Sequence, residues 1–316
     1  MSTPVRRPLR VAALPFALPP AGVAAELSRA ASDGVSLAVF PELSLVGILR
    51  IDRLRRAELD ALSEPLFGTS IDAVAQAVEM SGVAAGVGWI ERGDDGALYN
   101  SYVVCMPGGV RHRHRKVYVT ENPHLRTGER FDVHDTPWGA TMTILIGADN
   151  YLPENARVAA LKGATLLVAP HRSHSSSAQD LFIQREWCVR TLPARAGDNG
   201  MFAVLSDVAQ VPKTTSSSGA AVIAGPSGAV LAAGDTRHAS IAIADIDPGT
   251  AQSSIARRWL NARRPELYSA LISSEAQDGE AARAGTPTWT AATREAHARG
   301  SVAVSFAVVG RKRSML

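Results

Sequence analysis

The chain has 316 residues, of which 46% are hydrophobic, so it is long enough to bury a sizeable core in one large domain. Its 33 Lys and Arg residues nearly balance 30 Asp and Glu, which leaves a net charge of +3 and excludes the strongly basic surface typical of nucleic-acid-binding proteins. Two cysteines are too few for a disulfide framework. The low cysteine count favours a reducing cytoplasm, and the balanced charge gives no reason to expect a nucleic-acid partner. No apolar run reaches the roughly 18–20 residues that cross a bilayer, so we expect no membrane partner either.

Strands and helices alternate along the first half of the sequence. Apolar runs predict the strands, and helical spacing of apolar residues predicts the helices. In chain order the predicted elements are strand 9–14, helix 21–31, strand 37–40, helix 71–80, strand 83–89 and, around a turn at 94–96, strands 99–105 and 110–117.

The second half repeats this alternation. The predicted elements are a strand ending at Ile146, a helix between Pro153 and Gly163, strand 165–169, helix 178–195, and strands 202–206, 220–224, 229–233 and 241–245. Strands that alternate with helices predict an α/β fold. The composition first changes near residue 273, where the chain becomes polar. We therefore predict one domain over residues 1–272 and a C-terminal extension over residues 273–316.

Glu42 is the first candidate for chemistry. It follows the predicted strand at residues 37–40, directly after Pro41 and between apolar residues. Desolvation would raise the pKa of a carboxyl group in this position and suit it to act as a general base. The position alone fits equally well a surface glutamate that caps a turn.

Lys116 closes a run of alternating basic residues, Arg111-His-Arg-His-Arg-Lys116. Such a run on a strand is most often a solvated face, and a phosphate-binding patch is the alternative. His112 and His114 share one side of the strand, but no nearby carboxylate or cysteine completes a metal site. We therefore expect no bound metal.

Residues 147–150 lie between a buried strand and the helix that begins near Pro153. In α/β proteins, nucleophiles and ligands are placed at the carboxyl end of a strand, facing the next helix. The strand, turn and helix around Gly147 therefore predict a functional elbow.

Three motifs together resemble those of the nitrilase (carbon–nitrogen hydrolase) superfamily. The first is the Phe-Pro-Glu string that ends at Glu42. The second is Lys116 followed by Glu121, with Leu125 in place of the family's aromatic residue. The third is Asp-Asn-Tyr-Leu-Pro at residues 149–153, which is similar to the Glu-Asn-Tyr-Met-Pro of the nitrilase-like branch.

Softer matches follow the same order along the chain, at residues 99–101, 194–200 and 263–268. Each of them alone would pass as structural. Their order and spacing extend the resemblance over roughly residues 9–268.

The resemblance implies a four-layer α-β-β-α sandwich of the nitrilase type, and a homodimer or higher homo-oligomer that pairs across the helices beside the elbow. It also implies a reaction without cofactors, in which a cysteine thiolate attacks the carbon of a small amide or nitrile. Glu42 and Lys116 match the family's catalytic glutamate and lysine, and Glu121 would orient the lysine. Gly147 stands at the position of the family's cysteine and has no side chain with which to attack.

Other residues match positions around the family's active site. We expect substrate contacts from Ala148, Asp149, Asn150, Tyr151, His171 and Ser173. A carboxylate at the acid's place in the elbow normally faces the helix, so Asp149 is not expected to replace the nucleophile. Cys105 and Cys188 fall on a predicted strand and a predicted helix far along the chain from the elbow, where we expect them to fill the core.

Three interpretations follow. In the first, the protein acts on a C–N bond of a small molecule without a thiol, and Glu42, Lys116 and Glu121 perform acid–base chemistry. In the second, it is a catalytically inactive homologue that serves as a binding or regulatory subunit. In the third, the cysteine of an ordinary family enzyme has been replaced deliberately.

We favour the first interpretation. Burying a cluster of charges costs desolvation free energy, and a pure scaffold has no reason to retain such a cluster. It predicts that the side chains of Glu42, Lys116 and Glu121 converge beside Gly147 at hydrogen-bonding distances.

Overall fold

The computed structural model describes residues 8–173, 178–209, 219–234 and 240–272. The chain divides into two compact units, Met1–Pro265 and Glu266–Leu316. The described part of the second unit contains the 3₁₀ turn Ser269–Leu271. The C-terminal extension expected at residues 273–316 lies outside the described residues, so the predicted domain boundary stays a prediction.

Seven α-helices lie within the described ranges: α1 (Pro20–Ser32), α2 (Arg56–Leu62), α3 (Thr69–Ser81), α4 (Pro153–Leu161), α5 (Ala178–Asn199), α6 (Pro248–Gln252) and α7 (Ile255–Asn261). Short 3₁₀ turns lie at Ser44–Val46, Ile51–Arg53, Gly147–Asn150 and Pro265–Leu267. Pro20 and Pro153 occupy the first position of α1 and α4, where the missing N–H of proline is tolerated. In this part of the chain, no helix combines the length and the apolar character that a membrane crossing requires.

Thirteen strands are described: β1 (Leu9–Ala13), β2 (Leu37–Val39), β3 (Ala84–Arg92), β4 (Leu98–Met106), β5 (Val110–Arg115), β6 (Leu125–Arg126), β7 (Val133–Asp135), β8 (Thr141–Ile144), β9 (Leu166–His171), β10 (Phe202–Asp207), β11 (Ala221–Ala224), β12 (Val230–Ala233) and β13 (Ala242–Ile246). The first sheet has the order β13-β1-β2-β3-β4-β5, with β6 paired to β4. The second has the order β12-β11-β10-β9-β8-β7.

Parallel strands bring several loops to one edge of each sheet. β1, β2 and β3 are parallel neighbours in the first sheet, and β8, β9 and β10 in the second. The carboxyl ends of parallel strands meet at the same edge, which is where α/β proteins bind ligands. The residues at the carboxyl ends of β2, β8, β9 and β10 therefore lie where a functional site is expected.

Apolar side chains fill the space between successive layers. Tyr102 and Met142 belong to the core between the two sheets. Leu27 of α1 and Val78 of α3 pack on the outer face of the first sheet. Leu192 of α5 packs with residues of α4 and α7 on the outer face of the second sheet. Helix, sheet, sheet and helix are thus stacked in four layers, which confirms the predicted α-β-β-α sandwich.

Two strands near the elbow end earlier than the sequence predicted. β5 ends at Arg115 and not at residue 117, because the N–H groups of Val117 and Tyr118 bind a side chain of the elbow. β8 ends at Ile144, because the N–H of Ile146 binds the same side chain. That side chain is Asp149, whose carboxylate competes with the strand ladders for these donors.

Candidate active site

The elbow after β8 is the 3₁₀ turn Gly147–Asn150, and each of its residues is buried. Gly147 has a φ of 48°, in the left-handed region that residues with a side chain rarely adopt. Asn150 closes the turn, since its Nδ2 donates to the carbonyl of Leu145 at 2.7 Å and to that of Gly147 at 3.2 Å. This side chain therefore fixes the reversal of the chain between β8 and α4.

Both carboxylate oxygens of Asp149 are used inside the fold. Oδ1 accepts the N–H groups of Val117 and Tyr118 at 3.0 and 2.9 Å. Oδ2 accepts the N–H of Ile146 at 3.1 Å and lies 2.9 Å from Nε2 of His114. The carboxylate thus joins the elbow to the segment after β5. These bonds give Asp149 a positioning role, and the substrate contact expected from the sequence stays a prediction.

Glu42 follows β2 and is 4% exposed. Its N–H donates to the carbonyl of His171, at the end of β9 in the other sheet, at 3.2 Å. The next residue, Leu43, has a positive φ of 51°, and any side chain on Gly88 would collide with the Leu43 backbone. A strained turn packed against a glycine therefore sets the direction in which the Glu42 side chain leaves the backbone.

Glu42, Lys116 and Glu121 converge in one buried cluster. Lys116 Nζ donates to Glu42 Oε1 at 2.7 Å and to Glu121 Oε2 at 2.9 Å. Asn100 of β4 donates through Nδ2 to Glu42 Oε1 at 2.6 Å and also to Glu121 Oε1. The distances agree with the convergence expected from the sequence, and the catalytic roles of the three residues stay predictions. Asn100 was noticed in the sequence only within a soft family match.

The charges of this cluster shift the pKa values of its members. Burial raises the pKa of Glu42, with the charge of Lys116 opposing the shift and that of Glu121 adding to it. Burial alone would lower the pKa of Lys116, but the charges of Glu121 and Glu42 outweigh it and raise that pKa. Burial would raise the pKa of Glu121, yet Lys116 and Asn100 lower it. Lys116 is therefore held as an ammonium, and Glu42 is the carboxyl group most ready to take up a proton.

The cluster itself fills the space beside Gly147. A Cβ built on Gly147 would lie 2.5 Å from Glu42 Oε2 and 3.2 Å from Lys116 Nζ. The hydrogen bonds from Lys116 and Asn100 both go to Glu42 Oε1, so Oε2 is the oxygen turned toward the elbow. A side chain at position 147 would therefore require the Glu42 carboxylate to move.

His171 at the end of β9 connects the elbow with α5. Its Nε2 lies 3.2 Å from Asn150 Nδ2, and its Nδ1 lies 3.6 Å from Cys188 Sγ. Burial, together with the charge of Lys116, lowers the pKa of His171 to about 3, so the imidazole is neutral. Cys188 is closer to the elbow than its place in the sequence suggested. Burial raises the pKa of its thiol well above the usual range, which keeps it protonated and unreactive.

The remaining residues expected to contact the substrate lie in three settings. Ala148 is buried, and its carbonyl accepts the N–H of Tyr151 at 3.0 Å. Tyr151 is 38% exposed and packs edge-on against Trp187 of α5, with 4.5 Å between ring centroids. Ser173 is buried, and its N–H donates to Asp207 Oδ1 at 2.7 Å. The backbone of Ser173 therefore binds Asp207, a carboxylate that was not among the residues predicted from the sequence.

The basic run on β5 is engaged in local pairs. Arg113 and Arg115 donate to the buried Glu91 at 2.6 and 2.7 Å. His112 stacks on His134, with 4.4 Å between ring centroids. Among the described residues, no group of three or more His, Cys, Asp or Glu side chains is arranged to hold a metal ion. The arginines thus serve the fold, while the lysine that follows them turns toward the elbow.

A carboxylate beside a fixed ammonium is an arrangement suited to acid–base chemistry. Glu42 is positioned to accept a proton, and Lys116 to stabilise a negative charge that develops on a neighbouring oxygen or nitrogen. Both groups are buried, and electrostatic interactions are stronger away from water.

The sequence profile of the carbon–nitrogen hydrolase family matches residues 21–256, a range that includes the whole cluster. The chain belongs to this family. An (R)-stereoselective amidase from Pseudomonas sp. is 31% identical over 172 residues, which cover 54% of this chain and 57% of the amidase. A nitrilase from Pyrococcus abyssi is 26% identical over 225 residues, which cover 70% of this chain and 80% of the nitrilase.

Solved structures share the fold. A carbon–nitrogen hydrolase from Helicobacter pylori G27 matches with a TM-score of 0.72 at 19% identity, over 85% of this chain and 99% of that one. A mutant amidase of the nitrilase superfamily from Nesterenkonia AN1 matches with a TM-score of 0.64 at 21% identity, over 86% of this chain and 100% of that one. Another mutant form of that amidase carries the acetamide moiety of fluoroacetamide covalently at its active site cysteine.

Proposed function

We propose that the protein acts on the C–N bond of a small amide or nitrile-like molecule by acid–base chemistry, without a thiol nucleophile. The resemblance to the nitrilase-like branch assigns the family's cysteine to Gly147. The observation that carries the proposal is the position of Glu42 Oε2, 2.5 Å from where a side chain on Gly147 would begin. A carboxylate oxygen takes up the space of the missing side chain and is available to activate water.

For an amide, Glu42 acts as the general base. Oε2 takes a proton from water while the water oxygen attacks the carbonyl carbon, and the C=O electron pair moves onto oxygen. The Lys116 ammonium, held by Glu121, stabilises that oxyanion. Collapse re-forms the C=O bond, breaks the C–N bond and moves the proton from Glu42 to the departing nitrogen. The products are a carboxylic acid and an amine or ammonia; with a nitrile, the same addition of water yields an amide.

A binding or regulatory subunit without catalysis is the alternative. The cluster weighs against it. Burying the charges of Glu42, Lys116 and Glu121 costs desolvation free energy, and a non-catalytic scaffold gains nothing from keeping these charges. A deliberately replaced cysteine is the third interpretation, and it ranks last because alanine or serine is the usual replacement.

The names of the relatives, an amidase and a nitrilase, support an amide or a nitrile as the substrate class. Assignment to the nitrilase-like branch, the homo-oligomer and the cytoplasmic location remain predictions from the sequence.

The test compares Glu42→Gln with Glu91→Gln on a panel of small amides and nitriles. Glu42→Gln removes the base and keeps the shape, so we expect kcat/KM to fall by about 10²–10⁴-fold. Glu91 is a matched control, since it is also a buried glutamate in ion pairs, on β3 and bound to Arg113 and Arg115. Glu91→Gln should lower the free energy of unfolding by about 1–3 kcal/mol and leave kcat/KM unchanged.

The pH dependence of the wild type gives a second measurement. Burial raises the pKa of Glu42, so its basic form is lost as the pH falls through that raised value. We expect kcat/KM to decline on the acid side of an apparent pKa above that of an ordinary glutamate. Turnover that survives in Glu42→Gln would exclude this mechanism, and a panel on which nothing is turned over would favour the binding role.

A further inference from the structure

Asp207 is a buried carboxylate that the proposed mechanism does not use. It ends β10, is 0% exposed and lies opposite His171 of β9 in the sheet register. Its Oδ1 accepts the N–H of Ser173 at 2.7 Å, whereas Oδ2 has no hydrogen-bond partner among the described residues. A buried carboxylate oxygen without a donor is unfavourable and calls for an explanation, such as an absent ligand.

Asp207 lies at the same sheet edge as the cluster of Glu42 and Lys116. β8, β9 and β10 are parallel neighbours, so Gly147, His171 and Asp207 follow one another along their carboxyl ends. The carbonyl of His171 accepts the N–H of Glu42 at 3.2 Å, which brings Glu42 to this edge. Burial raises the pKa of Asp207 to about 6, hydrogen bonds from Ser173 and Val208 oppose the shift, and the negative charge of Glu42 adds to it. The two carboxylates are therefore close enough to interact.

The charges at this edge favour a cationic ligand. The negative charges of Glu42, Glu121 and Asp207 stabilise the charged guanidinium of Arg172 against the effect of its burial. A second cation near these carboxylates is Lys116. Lys116 is already bound to both glutamates. Arg172 directs Nη1 and Nη2 to backbone carbonyls of the loop after Glu42, at 2.8 and 2.7 Å. Among the described residues, neither of these cations donates a hydrogen bond to Asp207, so Oδ2 is left to accept one from a ligand.

We propose that Asp207 binds an ammonium group of the substrate, so that the preferred substrates are amides whose chain carries a primary amine. The ammonium donates to Asp207 Oδ2 while the amide group reaches Glu42 and Lys116. This inference deepens the proposed function and rests on it. An alkyl chain of the same length offers Oδ2 no donor and therefore binds more weakly.

The test uses pairs of isosteric amides that differ in one group. Glycinamide, β-alaninamide and γ-aminobutyramide are each compared with the amide in which methyl replaces the ammonium: propanamide, butanamide and pentanamide. Losing one partner of a buried charge pair weakens binding by about 30-fold or more. In the wild type we expect one amino-amide to have a KM lower than that of its isostere by about this factor. Asp207→Asn should abolish this difference in KM between the two members of the pair, because it removes the charge that binds the ammonium.

Ser206→Ala is the matched control. Ser206 precedes Asp207 on β10, is also buried, and donates through Oγ to the carbonyl of Leu14 at 2.8 Å on the opposite face. Removing its hydroxyl disturbs the same strand end without touching the proposed subsite. Both KM values of each pair should stay as in the wild type, and thermal unfolding followed by circular dichroism checks that each variant is folded.

Calorimetric titration of the wild type with the same pairs keeps this inference separable from the hydrolytic proposal. If no amide is turned over but an amino-amide binds more tightly than its isostere, and Asp207→Asn removes the difference, the subsite stands and hydrolysis fails. If the isosteres are hydrolysed as well as the amino-amides, or Asp207→Asn affects both members of a pair equally, hydrolysis stands and the subsite is overturned. The subsite is also overturned if none of the six amides is bound or turned over. Should Asp207→Asn not fold, the wild-type preference for amino-amides alone decides.

Discussion

Gly147 combines a positive φ of 48° with a Glu42 oxygen 2.5 Å from the place of its absent Cβ. The backbone conformation would strain any other residue by about 1–3 kcal/mol. The close oxygen would in addition force Glu42 out of its hydrogen bonds with Lys116 and Asn100. The glycine and the position of the Glu42 carboxylate are therefore coupled, and a substitution at 147 acts on both.

Gly147→Cys and Gly147→Ala separate the effect of a side chain from the effect of sulfur. Each adds a Cβ that displaces Glu42 Oε2, so we expect both variants to lose the proposed hydrolysis by activated water. We also expect the free energy of unfolding to fall by about 1–3 kcal/mol. Gly147→Cys also places a thiol next to the Lys116 ammonium, which favours the thiolate. We expect Gly147→Cys, and not Gly147→Ala, to form a covalent adduct with fluoroacetamide, detected by mass spectrometry.

Retention of full turnover in Gly147→Ala would show that Glu42 does not need this space. Absence of an adduct in a folded Gly147→Cys would show that the elbow no longer activates a nucleophile.

The contrast between Glu42 and Asp207 shows what the sequence reveals about single residues. Both are carboxylates at the carboxyl end of a buried strand, Glu42 shortly after β2 and Asp207 as the last residue of β10, but Glu42 was recognised because a family motif surrounds it. Asp207 has no such motif, and its unpartnered Oδ2 is a tertiary property. The sequence signal that could have identified Asp207 is an acidic residue directly after the predicted apolar strand at residues 202–206. The place of Glu42 Oε2 beside Gly147 likewise depends on contacts between distant segments.

Secondary structure elements were predicted well where they are long and apolar. α1, α3, β3 and β4 follow the patterns of their own sequences, so their ends differ from the prediction by about two residues or fewer, except that β3 ends at Arg92 and not at residue 89. α2 was missed because it is short and polar, with Glu58 accepting the N–H of Arg55 at its start. β7 was missed because a strand of three residues exists only through its pairing with β8.

The elbow is the element that a single side chain holds together. Asp149→Asn keeps the volume but loses the charge that four donors share, among them the N–H groups of Val117, Tyr118 and Ile146. We expect the free energy of unfolding, measured with urea, to fall by about 1–3 kcal/mol. Asp135→Asn is the control, since Asp135 is exposed on β7 and accepts one bond from Thr141 at 3.0 Å.

Asp135→Asn should change the free energy of unfolding by no more than about 0.5 kcal/mol. Equal effects of the two substitutions would show that the elbow does not depend on the Asp149 carboxylate.

At the scale of the whole molecule, the two cysteines lie in the two outer helix–sheet layers, so the reactivity of each thiol measures whether its layer is folded. Cys105 packs under α1 and α3, and Cys188 packs among α4, α5 and α7. Burial raises the pKa of Cys105 to about 11 and that of Cys188 well above its usual range. We expect iodoacetamide to leave both thiols and the activity of the folded protein intact, and to modify both once urea has unfolded it, as followed by peptide mass spectrometry. Rapid modification of Cys188 in the folded protein with loss of activity would instead identify it as a displaced nucleophile.

Glu42 and Lys116 come from the first sheet, whereas Gly147, His171 and Asp207 come from the second. The bond from the Glu42 N–H to the His171 carbonyl crosses between the sheets. The position of Glu42 relative to Gly147 therefore depends on how the two sheets are aligned, and sliding of one sheet over the other would change it. Tyr102 and Met142, which fill the space between the sheets, act as spacers that set this alignment. The inter-sheet core thus positions the candidate site as well as stabilising the scaffold.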